Sequence, residues 1–276
     1  MTTDPLLIMI APNGARRTKQ DHPALPMTAA ELAETAAACL ASGAAAIHVH
    51  VRDQAGAHVL DATRYMEAIA AIRERTDGQM LVQVTTEAVG RYSPSEQMDL
   101  VRTLRPAAVS VALREILGNG EATASAFFAW AADERIAVQH ILYDSADLDK
   151  FAELYGRGSF GGIAQPRLLF VLGRYAPDQE SRPEHLDVFL EGLERHRLSA
   201  VWSVCAFGRS ETSALAAALA LGGHVRVGFE NSLWNADGRI ARDNAERVAV
   251  IAGIARTAGR PLATARQARA ILGISR

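Results

Sequence analysis

The chain contains almost no lysine and almost no cysteine. Lysine occurs only at Lys19, in an arginine-containing loop, and at Lys150, in a charged helical stretch. Neither position predicts the desolvated amine that a Schiff base needs. The two cysteines, Cys39 and Cys205, show the spacing of neither a metal site nor a disulfide framework. The sequence therefore argues against imine-forming aldolase chemistry, and it offers no obvious base to activate a thiol nucleophile.

The sequence also lacks a strong excess of charge and any long hydrophobic run. The formal net charge is −2, so the composition does not favour nucleic acid or an anionic membrane surface as a partner. No apolar stretch reaches the roughly 18 residues of a membrane-spanning helix, and the first five residues lack the basic segment of a secretion signal. We expect a cytoplasmic protein without nucleic-acid or membrane partners.

What is present is a regular alternation of short β-type segments and longer helical ones over 276 residues, 49% of them hydrophobic. The candidate strands comprise residues 6–11, 45–51, 80–86, 107–113, 136–143, 167–172, 200–207 and 225–230. The candidate helices comprise residues 29–42, 62–75, 94–104, 122–134, 146–155, 183–196, 210–221 and 242–257. Parallel strands need helical crossovers, and eight such units favour a closed (β/α)8 TIM barrel over an open sheet.

No linker or charge block divides the chain, so we expect one domain over residues 1–276. An extra helix is predicted at residues 261–274, after the eighth unit. Its apolar character is compatible with a subunit interface, and we expect a homo-oligomer.

The most specific pattern is the segment 47–53, which reads Ile-His-Val-His-Val-Arg-Asp. Side chains alternate across a strand, so the apolar residues share the face toward the helices. His48, His50 and Arg52 then face the barrel interior near its carboxyl end, where barrel active sites lie. Two neutral imidazoles at this spacing can bind one divalent ion. The alternative interpretation is a pair of hydrogen-bonded core histidines.

The eighth strand supplies a possible third ligand. Alternation places its valines and Phe229 against the helices, and Arg226 and Glu230 on the inward face. A buried carboxylate needs a cationic partner, which Glu230 can find in a metal or in Arg226. The first, second and eighth strands are neighbours in a closed barrel, so His48, His50 and Glu230 can converge. Two imidazoles and a carboxylate with open positions are typical of a catalytic metal site, with zinc as the first expectation.

Five segments carry a family resemblance over nearly the whole chain. They are Ala-Pro-Asn-Gly-Ala-Arg (11–16), His-Pro-Ala-Leu-Pro-Met-Thr (22–28), His-Val-His-Val-Arg-Asp (48–53), Gln-Val-Thr-Thr (83–86) and Gly-Gly-His-Val-Arg-Val-Gly-Phe-Glu-Asn (222–231). Together they resemble the β-keto acid cleavage enzymes, the family of 3-keto-5-aminohexanoate cleavage enzyme. The resemblance implies a zinc-dependent (β/α)8 barrel that catalyses a retro-Claisen exchange. In that exchange a β-keto acid and acetyl-CoA give acetoacetate and a new acyl-CoA.

The resemblance also implies roles for individual residues. It implies His48, His50 and Glu230 as zinc ligands, Arg226 as a catalytic cation, and Thr85 and Ser110 as hydroxyl contacts to the substrate. Asn13, in the first segment, joins the predicted substrate-binding set. Asn231 occupies the catalytic position where the best-known members carry an aspartate that acts as the enolising base, and Arg16 replaces an acidic residue. Because an amide cannot take up a proton, the base is left open among Asp53, Glu87, Glu115 and the substrate's own carboxylate.

The far end of the substrate is predicted from the fourth and fifth strands. Alternation along the fourth strand points Arg114 into the barrel mouth. Family members that act on amino-bearing substrates carry glutamates where this chain has Gln139 and Ile141, so a buried ammonium would lack a partner here. We therefore expect a neutral or anionic distal group, with Arg114 available to pair a second carboxylate. Glu87 and Glu115 argue instead for a positively charged distal group. The alternative for Arg114 is that it is a surface side chain.

Three functions fit these observations. The first is an acetyl-CoA-dependent, zinc-containing β-keto acid cleavage enzyme acting on a small-molecule β-keto acid and a CoA thioester. The second is a zinc hydrolase or lyase on the same barrel that works without CoA. The third is an inert metal-binding barrel, against which Arg226 argues because an inert site gives no reason to keep a buried cation beside a metal.

Overall fold

Eight parallel strands close into a barrel in this computed structural model, which describes residues 4–176 and 178–275. The strands are β1 (Ile8–Ile10), β2 (Ala46–Val49), β3 (Val51–Arg52), β4 (His58–Val59), β5 (Leu81–Thr85), β6 (Ala108–Ala112), β7 (Ala137–Leu142), β8 (Arg167–Leu172), β9 (Val201–Ala206) and β10 (His224–Val227). Around the barrel the order is β1-β10-β9-β8-β7-β6-β5-β2, while β3 and β4 form a separate antiparallel hairpin. The predicted TIM barrel is confirmed.

Helices follow the barrel strands as crossovers. They are α1 (Ala29–Ala41), α2 (Ala62–Arg75), α3 (Pro94–Leu104), α4 (Leu113–Ile116), α5 (Glu121–Asp133), α6 (Ser145–Gly156), α7 (Asp187–Arg195), α8 (Glu211–Ala220), α9 (Asn244–Thr257) and α10 (Ala265–Leu272). Capping boxes start α1 at Thr28 and α3 at Ser93, where each side chain accepts from the third helical N–H. None of the described helices is both long and apolar enough to cross a membrane.

The barrel interior changes in polarity from its amino end to its carboxyl end. At the amino end, α10 covers an apolar layer in which Leu272 packs with Leu7 and Met9, so the predicted C-terminal helix closes this end. Above that layer, buried amides cross the barrel: Gln83 Nε2 donates to Gln139 Oε1 at 3.0 Å, and Gln139 Nε2 donates to Ser203 Oγ at 3.3 Å. The charged and imidazole side chains that line the inner cavity, among them His48, Arg226 and Glu230, gather toward the carboxyl end.

Most strands end one or more residues earlier than predicted, and at two of them this changes the predicted position of a side chain. The fourth stops at Ala112, and Leu113 begins the short helix α4, so strand alternation does not apply to Arg114. The eighth stops at Val227, and Gly228 leaves the strand with a φ of +137°. The prediction that Phe229 faces the helices is therefore wrong: this ring packs with Leu25 in a cluster under the loops at the barrel mouth.

Candidate metal and substrate site

Three predicted ligands come together at the carboxyl end of the barrel. His48 lies on β2, His50 follows that strand directly, and Glu230 lies in the turn after β10. His48 Nε2 is 3.9 Å from Glu230 Oε2, and His50 Nε2 is 3.6 Å from Glu230 Oε1. One ligand atom of each residue lies within 4.8 Å of the others. This spacing fits a single cation that the three residues share, bound by two nitrogens and one oxygen.

The protonation of His48 and of Glu230 also fits a cation. His48 Nδ1 pairs with Gln83 Oε1 at 2.9 Å, which leaves Nε2 as the nitrogen that faces Glu230. Burial, and then the charge of Arg226, lower the pKa of His48 well below its ordinary value. Burial alone would raise the pKa of Glu230, but Arg226 and the two imidazoles hold it well below its ordinary range. A neutral imidazole and an ionised carboxylate are the forms that coordinate a metal.

Several polar atoms of the triad are buried without a hydrogen-bond partner in the described parts of the chain. Both ring nitrogens of His50 and Oε2 of Glu230 belong to this group. Buried polar groups ordinarily find partners, so these unpaired atoms require an explanation. A bound divalent ion supplies one, because it would take the lone pairs of His50 Nε2 and the carboxylate together.

The turn that carries Glu230 is fitted closely against the loop after β1. The backbone N–H of Glu230 donates to Ala11 O at 3.0 Å. Gly14 has a φ of +62°, and a Cβ built there would approach Glu230 Cγ to 2.6 Å. Glycine is therefore required at position 14 both by the backbone conformation and by the close approach. Arg52 fixes the same loop, since its guanidinium donates to Gly14 O.

A fully buried ion pair lies beneath this turn. Arg247 Nη2 donates to Glu211 Oε2 at 2.5 Å, and both side chains are inaccessible to solvent. Glu211 Oε1 accepts from the Gly228 N–H at 3.2 Å and from Asn231 Nδ2 at 3.4 Å. On the other flank, the Phe229 N–H donates to Asn244 Oδ1 at 3.0 Å. These bonds hold both ends of the segment 228–231 and so fix the position of Glu230.

Arg226 lies inside the barrel beside the triad. Its Nη2 lies 3.4 Å from Glu230 Oε1 and 3.5 Å from the thiol sulfur of Cys205. Its Nε and Nη1 are buried without a hydrogen-bond partner among the described residues, so three N–H donors on these two nitrogens remain for a ligand. Burial raises the pKa of the Cys205 thiol to about 11, which keeps this sulfur protonated and unreactive.

Two connected cavities open beside the triad. The inner chamber is narrow, about 20 Å³, and the outer cleft measures about 280 Å³. The inner chamber is lined by His48, Thr85, Thr86, Glu87, Ala112, Ile141, Tyr143, Val171, Arg174, Phe207, Arg226 and Glu230. Glu87, Arg174, Phe207 and Glu230 line both cavities and therefore stand where the two meet.

The predicted substrate contacts occupy different depths. Thr85 lines the inner chamber, and its Oγ1 accepts from the Glu87 N–H at 3.0 Å, so the hydroxyl proton is available to a ligand. Ser110 is buried next to Thr85 in the register of β5 and β6, but it does not line the described cavities. Asn13 lines the outer cleft, and its Nδ2 donates to His50 O at 3.0 Å.

The residues considered as the catalytic base differ in whether they line the cavities. Asn231 is fully buried and its Nδ2 donates to Arg226 O at 3.2 Å, so its contacts hold the turn. Asp53 accepts from the backbone of its own hairpin, and Glu115 accepts from the Ala88 N–H at 3.1 Å. Of the three acids that the sequence offers as base, only Glu87 lines the cavities.

The prediction of Arg114 from strand alternation is wrong, because β6 ends at Ala112 and Arg114 lies on α4. Its guanidinium pairs with Asp144 Oδ2 at 2.6 Å and with Asp147 Oδ2 at 2.7 Å, and it lines neither cavity. The arginine that does line them is Arg174, in the loop after β8. Sequence reasoning missed it because a loop residue gives no periodicity to read.

Comparisons with known proteins give the family of this chain. A model of the beta-keto acid cleavage enzyme family matches residues 5–274. The chain belongs to this family. The 3-keto-5-aminohexanoate cleavage enzyme of Fusobacterium nucleatum is 32% identical over 98% of each chain. The 3-oxoadipate:acetyl-CoA acetyltransferase of Cupriavidus necator is 28% identical over 99% of this chain and 96% of its own. The predicted family resemblance is confirmed.

Solved structures agree on the fold. The apo structure of ObcA matches with a TM-score of 0.72 at 16% identity, and the match covers 92% of this chain and 66% of ObcA. The type I 3-dehydroquinate dehydratase of Clostridium difficile matches with a TM-score of 0.59 at 11% identity. At such identities the likeness concerns the barrel fold alone.

The buried pair beneath the turn gives a stability prediction for this family member. Arg247→Met leaves the Glu211 carboxylate buried without its cation, so we expect a loss of about 3–5 kcal/mol in the free energy of unfolding. Urea denaturation measures it. The double variant Arg247→Met/Glu211→Leu should recover part of the loss, and Arg239→Met, at an arginine that is 74% exposed, should change little. An unfolding free energy of Arg247→Met equal to that of the Arg239→Met control would contradict this assignment.

Proposed function

We propose that this protein is a zinc-dependent β-keto acid cleavage enzyme that uses acetyl-CoA as co-substrate. The reaction converts a β-keto acid and acetyl-CoA to acetoacetate and a new acyl-CoA. The observation that carries the proposal is the buried His48–His50–Glu230 triad, with unpaired ligand atoms, facing a cavity that also contains Arg226. Family membership and the names of the full-length relatives support the reaction class.

In this proposal His48 Nε2, His50 Nε2 and the Glu230 carboxylate hold the zinc ion. When bound, zinc acts as a Lewis acid toward the keto oxygen and carboxylate of the substrate. The chain orients these ligands in advance, because Gln83 fixes the ring of His48 and the hydrogen-bonded turn fixes Glu230. Such preorganised ligands are typical of a catalytic site that keeps coordination positions for substrate.

Arg226 stabilises the negative charge that develops on oxygen during the exchange. The proposal rests on its unpaired Nε and Nη1 and on its place beside Glu230 in the inner chamber. Donors fixed in a water-poor site stabilise an oxyanion strongly, because they need no reorganisation during the reaction. The Thr85 hydroxyl adds a neutral donor on the opposite wall, and Ser110 supports that wall from behind.

Glu87 takes the proton that must leave the substrate's α-carbon. Its carboxylate lines both cavities, and Oε2 lies 3.9 Å from His50 Nδ1. The acetyl-CoA thioester enters through the outer cleft, where Arg16 and Arg17 provide positive charge for a phosphate-bearing molecule. Asn13 lines the same cleft and completes the proposed substrate-binding set.

An assay with and without thioester tests the function. We expect acetoacetate to form from a panel of β-keto acids only when acetyl-CoA is present, chelator-treated protein to be inactive, and zinc to restore turnover. The variant His48→Ala/His50→Ala should lose both metal and activity, while His196→Ala, at an exposed histidine paired with Asp149, should keep both. Turnover without CoA would favour the hydrolase or lyase alternative, and ligand binding without turnover would favour an inert barrel.

The role of Arg226 has a test of its own. Arg226→Lys keeps the charge but loses the planar set of donors, so we expect kcat to fall by about 100-fold or more. Steady-state kinetics measures it, with metal content and circular dichroism as checks that the site and fold persist. A folded, metal-loaded variant with a near-normal kcat would leave Arg226 as a structural partner of Glu230 only.

A further inference from the structure

Arg174 stands at the join of the two cavities. It lies two residues beyond the end of β8, and its side chain is 14% exposed. Its guanidinium lies over the ring of Phe207, 5.1 Å from the ring centroid. Stacking on an aromatic face holds the planar group in one orientation. A substrate that extends from one cavity into the other passes close to this guanidinium.

The guanidinium is only weakly engaged by its own chain. In the described parts of the chain its one ion pair joins Nη2 to Glu87 Oε1 at 3.5 Å. Charge-assisted hydrogen bonds between guanidinium and carboxylate are usually about 2.7–2.9 Å long. The long contact leaves most of the five guanidinium donors available. Arg114, by contrast, is fully engaged by two aspartates.

The surroundings of Arg174 suit a carbon chain that ends in an anion. Ala112, Ile141 and Val171 form an apolar wall of the inner chamber, against which methylene groups can pack. A distal ammonium would meet Glu87 only beside the positive guanidinium.

The sum of the charges in the inner chamber also favours a second carboxylate on the substrate. The chamber carries two carboxylates, Glu87 and Glu230, and two guanidinium groups, Arg174 and Arg226. In the proposed function zinc adds two positive charges and the reacting carboxylate removes one. One positive charge is then left over in a site that is shielded from water, and a second carboxylate on the substrate compensates it.

We propose that Arg174 binds a carboxylate at the end of the substrate opposite the reacting β-keto acid, so that this enzyme selects dianionic β-keto acids. The inference rests on the proposed function and adds to it the substrate class and the residue that sets it.

A matched series of six-carbon β-keto acids tests the selection. 3-Oxoadipate carries a distal carboxylate, 3-oxohexanoate a neutral end, and 3-keto-5-aminohexanoate a distal ammonium. With acetyl-CoA in excess, we expect kcat/KM to be highest for 3-oxoadipate. If the wild-type protein converts none of the three, the proposed function itself fails. If it converts the neutral or cationic acid as well as 3-oxoadipate, this inference fails and the function stands.

Substitution of Arg174 then assigns the effect to this residue. Arg174→Gln should lower kcat/KM for 3-oxoadipate by about 10- to 100-fold, the usual range for one charge-assisted contact, mainly through KM. The values for 3-oxohexanoate and the KM for acetyl-CoA should stay within about 3-fold of wild type. Arg174→Glu should move the preference toward 3-keto-5-aminohexanoate. Arg239→Gln, which removes an exposed cation, is the matched control.

Binding of an unreactive diacid gives a readout that does not depend on turnover. Adipate should bind wild-type protein at least about 10-fold more tightly than hexanoate in isothermal titration calorimetry, and Arg174→Gln should abolish the difference. In the kinetic assay, Arg174→Gln must not lower kcat/KM equally for all three β-keto acids, and its effect must not be confined to the KM of acetyl-CoA. Either result would overturn the proposal, because Arg174 would then act on the fold or on the thioester.

Discussion

The buried carboxylate of Glu230 is the constraint on which the carboxyl end of this barrel depends. A charge withdrawn from water must be compensated nearby, and Arg226 at 3.4 Å supplies the compensation in the protein itself. The imidazoles of His48 and His50 surround the other side of the carboxylate. Gly14 is a glycine because the loop after β1 must pass directly against Glu230. The His48–His50–Glu230 triad, the Arg226 guanidinium and the loop after β1 are therefore parts of one electrostatic arrangement.

The graded interior of the barrel explains how this charged site coexists with a stable fold. Apolar residues and the C-terminal helix α10 seal the amino end, and the amides of Gln83 and Gln139 satisfy one another across the middle. Gln83 also bonds His48, so the amide layer orients a ligand as well as filling the barrel. Arg174, the proposed specificity residue, lies in the loop beyond β8, where a substitution would leave the layers beneath it undisturbed.

The sequence predicts the barrel correctly, and it selects three residues, His48, His50 and Glu230, whose ligand atoms the structure brings within 4.8 Å of one another. It predicts the surroundings of these residues less well. The inward histidines were readable because β2 alternates regularly up to His48 and His50. Glu230 was assigned to the right face for an incomplete reason, since Gly228 ends the strand and a turn, held by Glu211, delivers the carboxylate. Arg174 lies outside any periodic segment, so its contacts arise only from tertiary structure.

The central claim is that one metal ion bound by His48, His50 and Glu230 organises the active site. Crystals grown with zinc and measured on both sides of the zinc absorption edge test it most directly. The account predicts one anomalous peak per chain, about 2.0–2.2 Å from His48 Nε2, His50 Nε2 and a Glu230 oxygen. A peak at other residues, or none in crystals of protein that is fully active, would contradict it.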